Sequence, residues 1–193
     1  VHSIGKGNPV RPGVFRKGLP EPLAKRTVEG DLGIRYNAES ILRLCGQERI
    51  KKNASLPHHD LFEKINALSK PVGLLPQSVE DWDLDFALAI CAAQAAMERH
   101  AGTIETLWGP QGQYYVQYGK DLSEIEHLMG TGGIFIHHPQ AGAILQKTLF
   151  SPEEPFSLRP RKPALYTDAC YCSFAIVLLA DRFPEISVRI GKK

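Results

Sequence analysis

The 193 residues predict an α/β fold in which several long helices accompany short strands, and three observations carry that expectation. Residues 83–100 hold an apolar pattern that runs almost all round a helix, through Phe86, Leu88, Ala89, Ile90, Ala92, Ala93, Ala96 and Met97. Two β-rich runs, 103–107 and 113–118, flank Gly109-Pro110-Gln111-Gly112, a turn-forming stretch. Further short apolar runs cluster around a glycine turn, Gly130-Thr131-Gly132-Gly133. Helices should therefore cover mainly one side of a sheet.

Along the chain, a strand end is expected near residues 1–4. An extended loop or short hairpin follows, interrupted by Pro9, Pro12, Pro20 and Pro22. Helical spacing of Ile41, Leu42, Leu44 and Cys45 predicts a helix over 36–52, with Asn37 as cap. Leu61, Phe62, Ile65 and Leu68 predict another over 60–70, stopped by Pro71. Ser78 and Asp81 have capping-box spacing before the central helix, and Arg99-His100 sit at its end before Gly102. Beyond the glycine turn, a helix over 140–149 precedes a proline-rich surface loop over 151–163. A strand at 164–167 and helices over 169–182 and 185–192 close the chain.

At this length a hydrophobic core needs no disulfide or metal staple. The 43% hydrophobic and 23% charged residues exclude disorder, collagen and coiled coil as the main state. With Lys+Arg 23 against Asp+Glu 21, no general field attracts nucleic acid or anionic lipid. No apolar run approaches the about twenty residues of a membrane span, Phe174–Ala180 being a run of 7. The chain starts Val1-His2-Ser3-Ile4, with no initiator methionine and no targeting segment, so a piece of a longer cytoplasmic protein is expected. Cys45, Cys91, Cys170 and Cys172 include no CxxC pair and read as buried thiols in a reducing compartment.

Gly130, Thr131, Gly132 and Gly133 are the strongest chemical signal. Glycines let a ligand approach the backbone, consecutive main-chain N–H groups can form an anion-binding nest, and the threonine adds a donor. A tight strand-to-helix turn would carry the same string. With neither a Walker lysine nor GxGxxG, P-loop and Rossmann readings fail. Residues 26–33 gather Arg26, Thr27, Glu29, Gly30 and Asp31, a mixture pointing to a functional loop, although a solvated turn can also hold it. Gly119-Lys120-Asp121-Leu122 reads as a structural turn, and Arg159-Pro160-Arg161-Lys162 as solvated loop. Tyr114, Tyr115 and Tyr118 read as packing. The pairs His58-His59 and His137-His138 lack ligand spacing, so no metal site is expected. No nucleophile stands beside a recognisable base.

Four strings in this order, RTVEGDLGIR from Arg26, Arg99-His100-Ala101-Gly102, QYGKDL from Gln117 and MGTGG from Met129, resemble the MutL proteins encoded beside adenosylcobalamin-dependent glutamate mutase and related mutases. That family is unrelated to the DNA mismatch-repair protein of the same name. The resemblance covers nearly the whole chain. It implies a ribonuclease-H-like domain of the actin–Hsp70–sugar-kinase ATPase superfamily. Residues 1–193 would be the second domain, with a helical insertion around 37–80 and the N-terminal ATPase domain absent. The GTGG string resembles the adenosine motif of that superfamily, which implies nucleotide contacts at Gly130, Thr131, Gly132 and Gly133. Arg26, Glu29, Gly30 and Asp31 match the family's other signature and are expected to line the same cleft.

The implied function is the nucleotide-binding half of an ATP-dependent, chaperone-like reactivating factor for the mutase. Its cofactors would be ATP or ADP with Mg²⁺ in the full-length protein, and its partners the mutase subunits, with a homodimer open. The catalytic carboxylates would lie upstream of Val1, leaving this piece inactive by itself. A non-hydrolysing nucleotide sensor or structural partner, and a hydantoinase-like enzyme, are the alternatives. Gly132→Val is expected to abolish nucleotide binding while leaving the fold intact.

Overall fold

The computed structural model describes residues 1–5, 13–57, 59–68, 75–180 and 182–191. Pro9, Pro12, Pro71, His58 and Lys192, each part of an expectation above, lie outside the described residues.

Helix α3 (Val79–His100) is the axis of the structure. Its start is sealed as its spacing predicts: the Asp81 N–H donates to Ser78 Oγ at 3.1 Å, and the Ser78 N–H to Asp81 Oδ2 at 3.1 Å. Two layers cover it. On one side α1 (Ala38–Asn53) and α2 (Leu61–Leu68) bring Ile41, Ile50, Leu61 and Ile65 against Leu84, Leu88 and Cys91. On the other, Phe86, Ala89 and Ile90 meet Ile144 of α5 (Ala141–Gln146) and Ile134 and Phe135 of the one-turn helix α4 (Gly133–His137). Near its end Met97 packs with Ala101 and Leu122. An apolar circumference is therefore what this position demands.

The strands differ from the single-sheet expectation. Among the described residues they form three small sheets. Strand β1 (His2–Ile4) pairs antiparallel with β3 (Ala24–Arg26). Strand β2 (Val14–Arg16) lies parallel to β5 (Gly112–Tyr118), which forms a hairpin with β4 (Thr103–Gly109) through Pro110-Gln111. Strand β6 (His127–Gly130) runs parallel to β7 (Ala164–Thr167), in register from His127 opposite Ala164 to Gly130 opposite Thr167. The mixed α/β class holds; α1, α2, α4 and α5 gather on α3 rather than on one sheet.

Four local expectations are corrected. Asn37 makes no side-chain cap on α1; its Nδ2 instead donates to the Gly30 carbonyl at 2.6 Å. Gly46, at φ 76° and ψ 159°, breaks the helical path of α1, which the apolar spacing does not reveal. Residues 151–163 are not simply a surface loop. Ser157 bridges Thr103, the Leu122 N–H donates to the Leu158 carbonyl at 2.9 Å, and Leu158, Arg159, Pro160 and Pro163 are buried. Pro160, which has no N–H to donate, accepts from the Phe150 N–H at 2.8 Å. Arg159 lies between the carboxylates of Glu98 and Glu154 rather than in solvent, whereas Arg161 stacks over Phe150 at 4.6 Å. Finally, of the four cysteines only Cys91 is fully buried: Cys45 and Cys172 are half-buried and Cys170 is exposed.

Tyr114 meets Phe15 edge-on at 6.0 Å and Tyr118 Oη accepts from Lys17 Nζ at 3.1 Å, so these tyrosines pack along a partly exposed sheet face. Helices α6 (Ser173–Ala180) and α7 (Pro184–Gly191) pair with each other and leave Val177, Leu178 and Val188 exposed. No helix among the described residues is long and apolar enough to cross a membrane.

The capping box gives a direct check. Ser78→Ala should lower the unfolding free energy by about 1 kcal/mol in denaturant titration, at unchanged m-value.

Candidate functional site

Parallel pairing brings the C-terminal ends of β6 and β7 to one edge, where the chain leaves both strands. Each residue of the glycine turn has a distinct task there. A Cβ on Gly130 would lie 2.5 Å from the Phe135 ring, so this glycine is set by packing. Thr131 donates its hydroxyl to Asp168 Oδ2 at 3.0 Å. Gly132 has φ +113°, a conformation that side-chain-bearing residues rarely adopt. Gly133 has open space where a Cβ would stand, and it faces a cavity.

Asp168 was not singled out, although it follows a strand ending in threonine. Its carboxylate accepts from the N–H groups of Cys172 and Ser173, both at 3.1 Å, at the start of α6. Burial pushes this carboxyl up, but those N–H groups with the Ser173 and Thr131 hydroxyls prevail and hold it below the usual carboxylate range.

The cavity beside Gly133 measures about 540 Å³. Ile34, Trp82 and Ile134 supply apolar wall, and His137 stands at the edge. Within it lies an ion pair: Arg35 Nη2 donates to Asp85 Oδ2 at 2.6 Å, with 15% and 7% of the two side chains exposed. Asp85 Oδ1 is buried without a hydrogen-bond partner among the described residues. Burial pushes the Asp85 carboxyl above its usual range, and Arg35 opposes this only in part. Sequence reasoning passed over this residue. The signal was available, since Asp85 is a carboxylate between Leu84 and Phe86 on a helix that is otherwise apolar there. His138 stacks on Phe86 at 4.8 Å and is a packing residue.

The other predicted residues are held elsewhere on α3. Arg99 donates from Nη1 to Glu29 Oε2 at 2.6 Å, and from Nη1 and Nη2 to the two Asp31 oxygens at 2.8 and 2.9 Å. That clasp holds the Asp31 carboxyl below its usual range. The Gly30 carbonyl receives Asn37, and Arg26 is exposed at the end of β3, opposite His2. Thr27 Oγ1 meets His100 Nδ1 at 3.0 Å, while His100 Nε2 meets Ser3 Oγ at 2.8 Å. Residue 99 follows residue 85 by fourteen helical positions, about 21 Å of axis. The glycine turn thus meets the Arg35–Asp85 level of α3 and the acidic loop its end, with Leu32–Arg35 connecting them. Lys120 lies close to that end, buried, its ammonium donating to the carbonyls of Leu23 at 2.8 Å and Pro22 at 3.1 Å. This is the structural role expected of its turn.

Among the described residues there is no group of three or more His, Cys, Asp or Glu able to hold a metal ion. What the cavity can do is enclose a flat, largely apolar group and present a carboxylate and a guanidinium to its edge.

A family model described as MutL protein matches residues 1–193. The chain is 39% identical to "Protein MutL" of Clostridium tetanomorphum, over 100% of its own residues and 42% of that relative. It therefore spans less than half the length of the curated relative it matches. No solved structure matches.

The His100 site predicts a pH effect. Burial, reinforced by the positive charges of Lys25 and Lys120, pushes its pKa from 6.5 down to about 4. Between these values the unfolded chain binds the proton that the folded chain refuses, so stability falls as pH falls from 6.5 towards 4. The full loss from this residue is about 3 kcal/mol. Denaturant titrations from pH 7 to 4 should show it, and His100→Gln should flatten that part of the slope.

Proposed function

Since the chain belongs to the MutL family, the glutamate mutase-associated one and not the DNA-repair one, we propose that it is the nucleotide-binding half of an ATP-dependent, chaperone-like reactivating factor. Its client is an adenosylcobalamin-dependent mutase that has lost working cofactor. In this reading the chain is the second, ribonuclease-H-like domain of an actin-type ATPase, acting with Mg²⁺-ATP beside the mutase in the cytoplasm.

One observation carries the proposal. The glycine turn leaves the C-terminal end of a parallel strand, where α/β proteins commonly bind ligands, and Gly133 opens directly onto the apolar cavity. Of the turn, Gly133 offers the ligand an unobstructed approach. Gly130 and Thr131 shape the turn through Phe135 and Asp168. The described residues would bind and orient the nucleotide, and the carboxylates that hold Mg²⁺ and position water belong to the remainder of the protein. For hydrolysis to act on a mutase, ATP and ADP must favour different arrangements of the two domains; a nucleotide bound equally by both would shift nothing.

Gly132→Val is not the fold-neutral test the sequence suggested, because its positive φ strains any valine there. Gly133→Leu is the better probe, as its Cβ meets nothing within 4 Å. In the full-length protein it should weaken ADP binding at least roughly tenfold by occluding the cavity mouth, with the melting temperature kept. Undiminished affinity would remove the site assignment. In parallel, phosphate release from Mg²⁺-ATP should rise when a mutase carrying damaged corrinoid is added. Tight binding with no release in either condition would make the protein a nucleotide sensor.

A further inference from the structure

The Arg35–Asp85 pair is half satisfied. Oδ2 of Asp85 takes the guanidinium at 2.6 Å, whereas Oδ1, on a side chain 7% exposed, has no partner among the described residues. A buried carboxylate oxygen without a donor is costly, and the described residues offer Asp85 no second one. The residue nevertheless belongs to the cavity lining, beside Trp82, Ile134 and Gly133. A donor from a bound molecule would complete it.

The surroundings define that donor. Arg35 already balances the carboxylate charge and repels another cation, so a neutral N–H suits Oδ1 better than an ammonium or a metal ion. The apolar walls, with an indole among them, favour a flat ring over a flexible chain. A ring with an amino group on its edge and an acceptor nitrogen beside it could face the pair, giving an N–H to Asp85 and taking one from Arg35.

Resting on the nucleotide reading above, we propose that Asp85 and Arg35 set base specificity: the cavity holds the purine, and Asp85 Oδ1 accepts a hydrogen bond from the 6-amino group of adenine. The ring nitrogen next to it accepts from Arg35, and the sugar and phosphates leave past Gly133. A 6-oxo base would set an oxygen against the carboxylate, and a base with no substituent there would leave Oδ1 unpaired. Asp85 and Arg35 together thus favour adenine over a 6-oxopurine, whose oxygen would face the carboxylate and whose ring N–H would face the guanidinium.

The test is equilibrium binding to the full-length protein of ADP and of purine riboside diphosphate, the same molecule without the 6-amino group. The native protein should prefer ADP roughly ten- to a hundredfold. A variant carrying Arg35→Met and Asp85→Leu together replaces the pair with apolar side chains and strands no charge. It should bind the two ligands equally. Equal binding by the native protein, or a preference that survives in the double variant, overturns the proposal and leaves the nucleotide reading standing. A native protein that binds neither ligand overturns both.

Discussion

Helix α3 is apolar around nearly its whole circumference, and α1, α2, α4 and α5 are arranged to satisfy that constraint. A helix of this kind must be covered on every side, and covering it takes two unlike layers. The α1–α2 pair supplies one, while α4 and α5, joined to the β6–β7 edge, supply the other. The cavity opens between these layers, lined by Ile34 ahead of α1, by Ile134 of α4, and by Trp82 and Asp85 of α3. The site follows from the packing of α3 against the turn that leaves the β6–β7 pair.

The two charged sites on α3 differ in kind. At its end, Arg99 gathers Glu29 and Asp31 in a solvent-facing clasp, where ion pairs contribute modestly and weaken with salt. Within the cavity, Arg35 and Asp85 are largely out of water, and their desolvation is poorly repaid while one oxygen lacks a donor. The clasp is a closed arrangement, with both Asp31 oxygens engaged. The buried pair is an open one. That contrast separates residues that hold a loop from residues able to receive a ligand, although Glu29, Asp31 and Arg35 belong to one run of sequence, 26–35.

Features carried by short-range chemistry were legible in advance. The Ser78–Asp81 box, the hairpin across Pro110-Gln111, and the end of α3 at His100 each depend on a few neighbouring residues, whereas α3 starts at Val79, four residues before its apolar pattern does. What escaped depends on distant partners. Nothing local says that Arg159 will be buried between Glu98 and Glu154, or that Asn37 will reach Gly30 instead of capping α1. The glycine turn was visible as a string, but its division of labour was not, because Phe135 decides Gly130 and Asp168 decides Thr131. Asp85 was hidden by its setting: a single acid in an apolar stretch reads as an interruption until the cavity beside it is seen.

The Asp168 carboxylate has a mechanical consequence. It is hydrogen-bonded at once to the hydroxyl of the glycine turn and to the first N–H groups of α6. Thr131 therefore cannot shift by more than a fraction of a hydrogen-bond length without either dragging the start of that helix or releasing it. The aspartate thereby pins the turn to the start of α6, the helix that carries the exposed apolar surface of Val177 and Leu178.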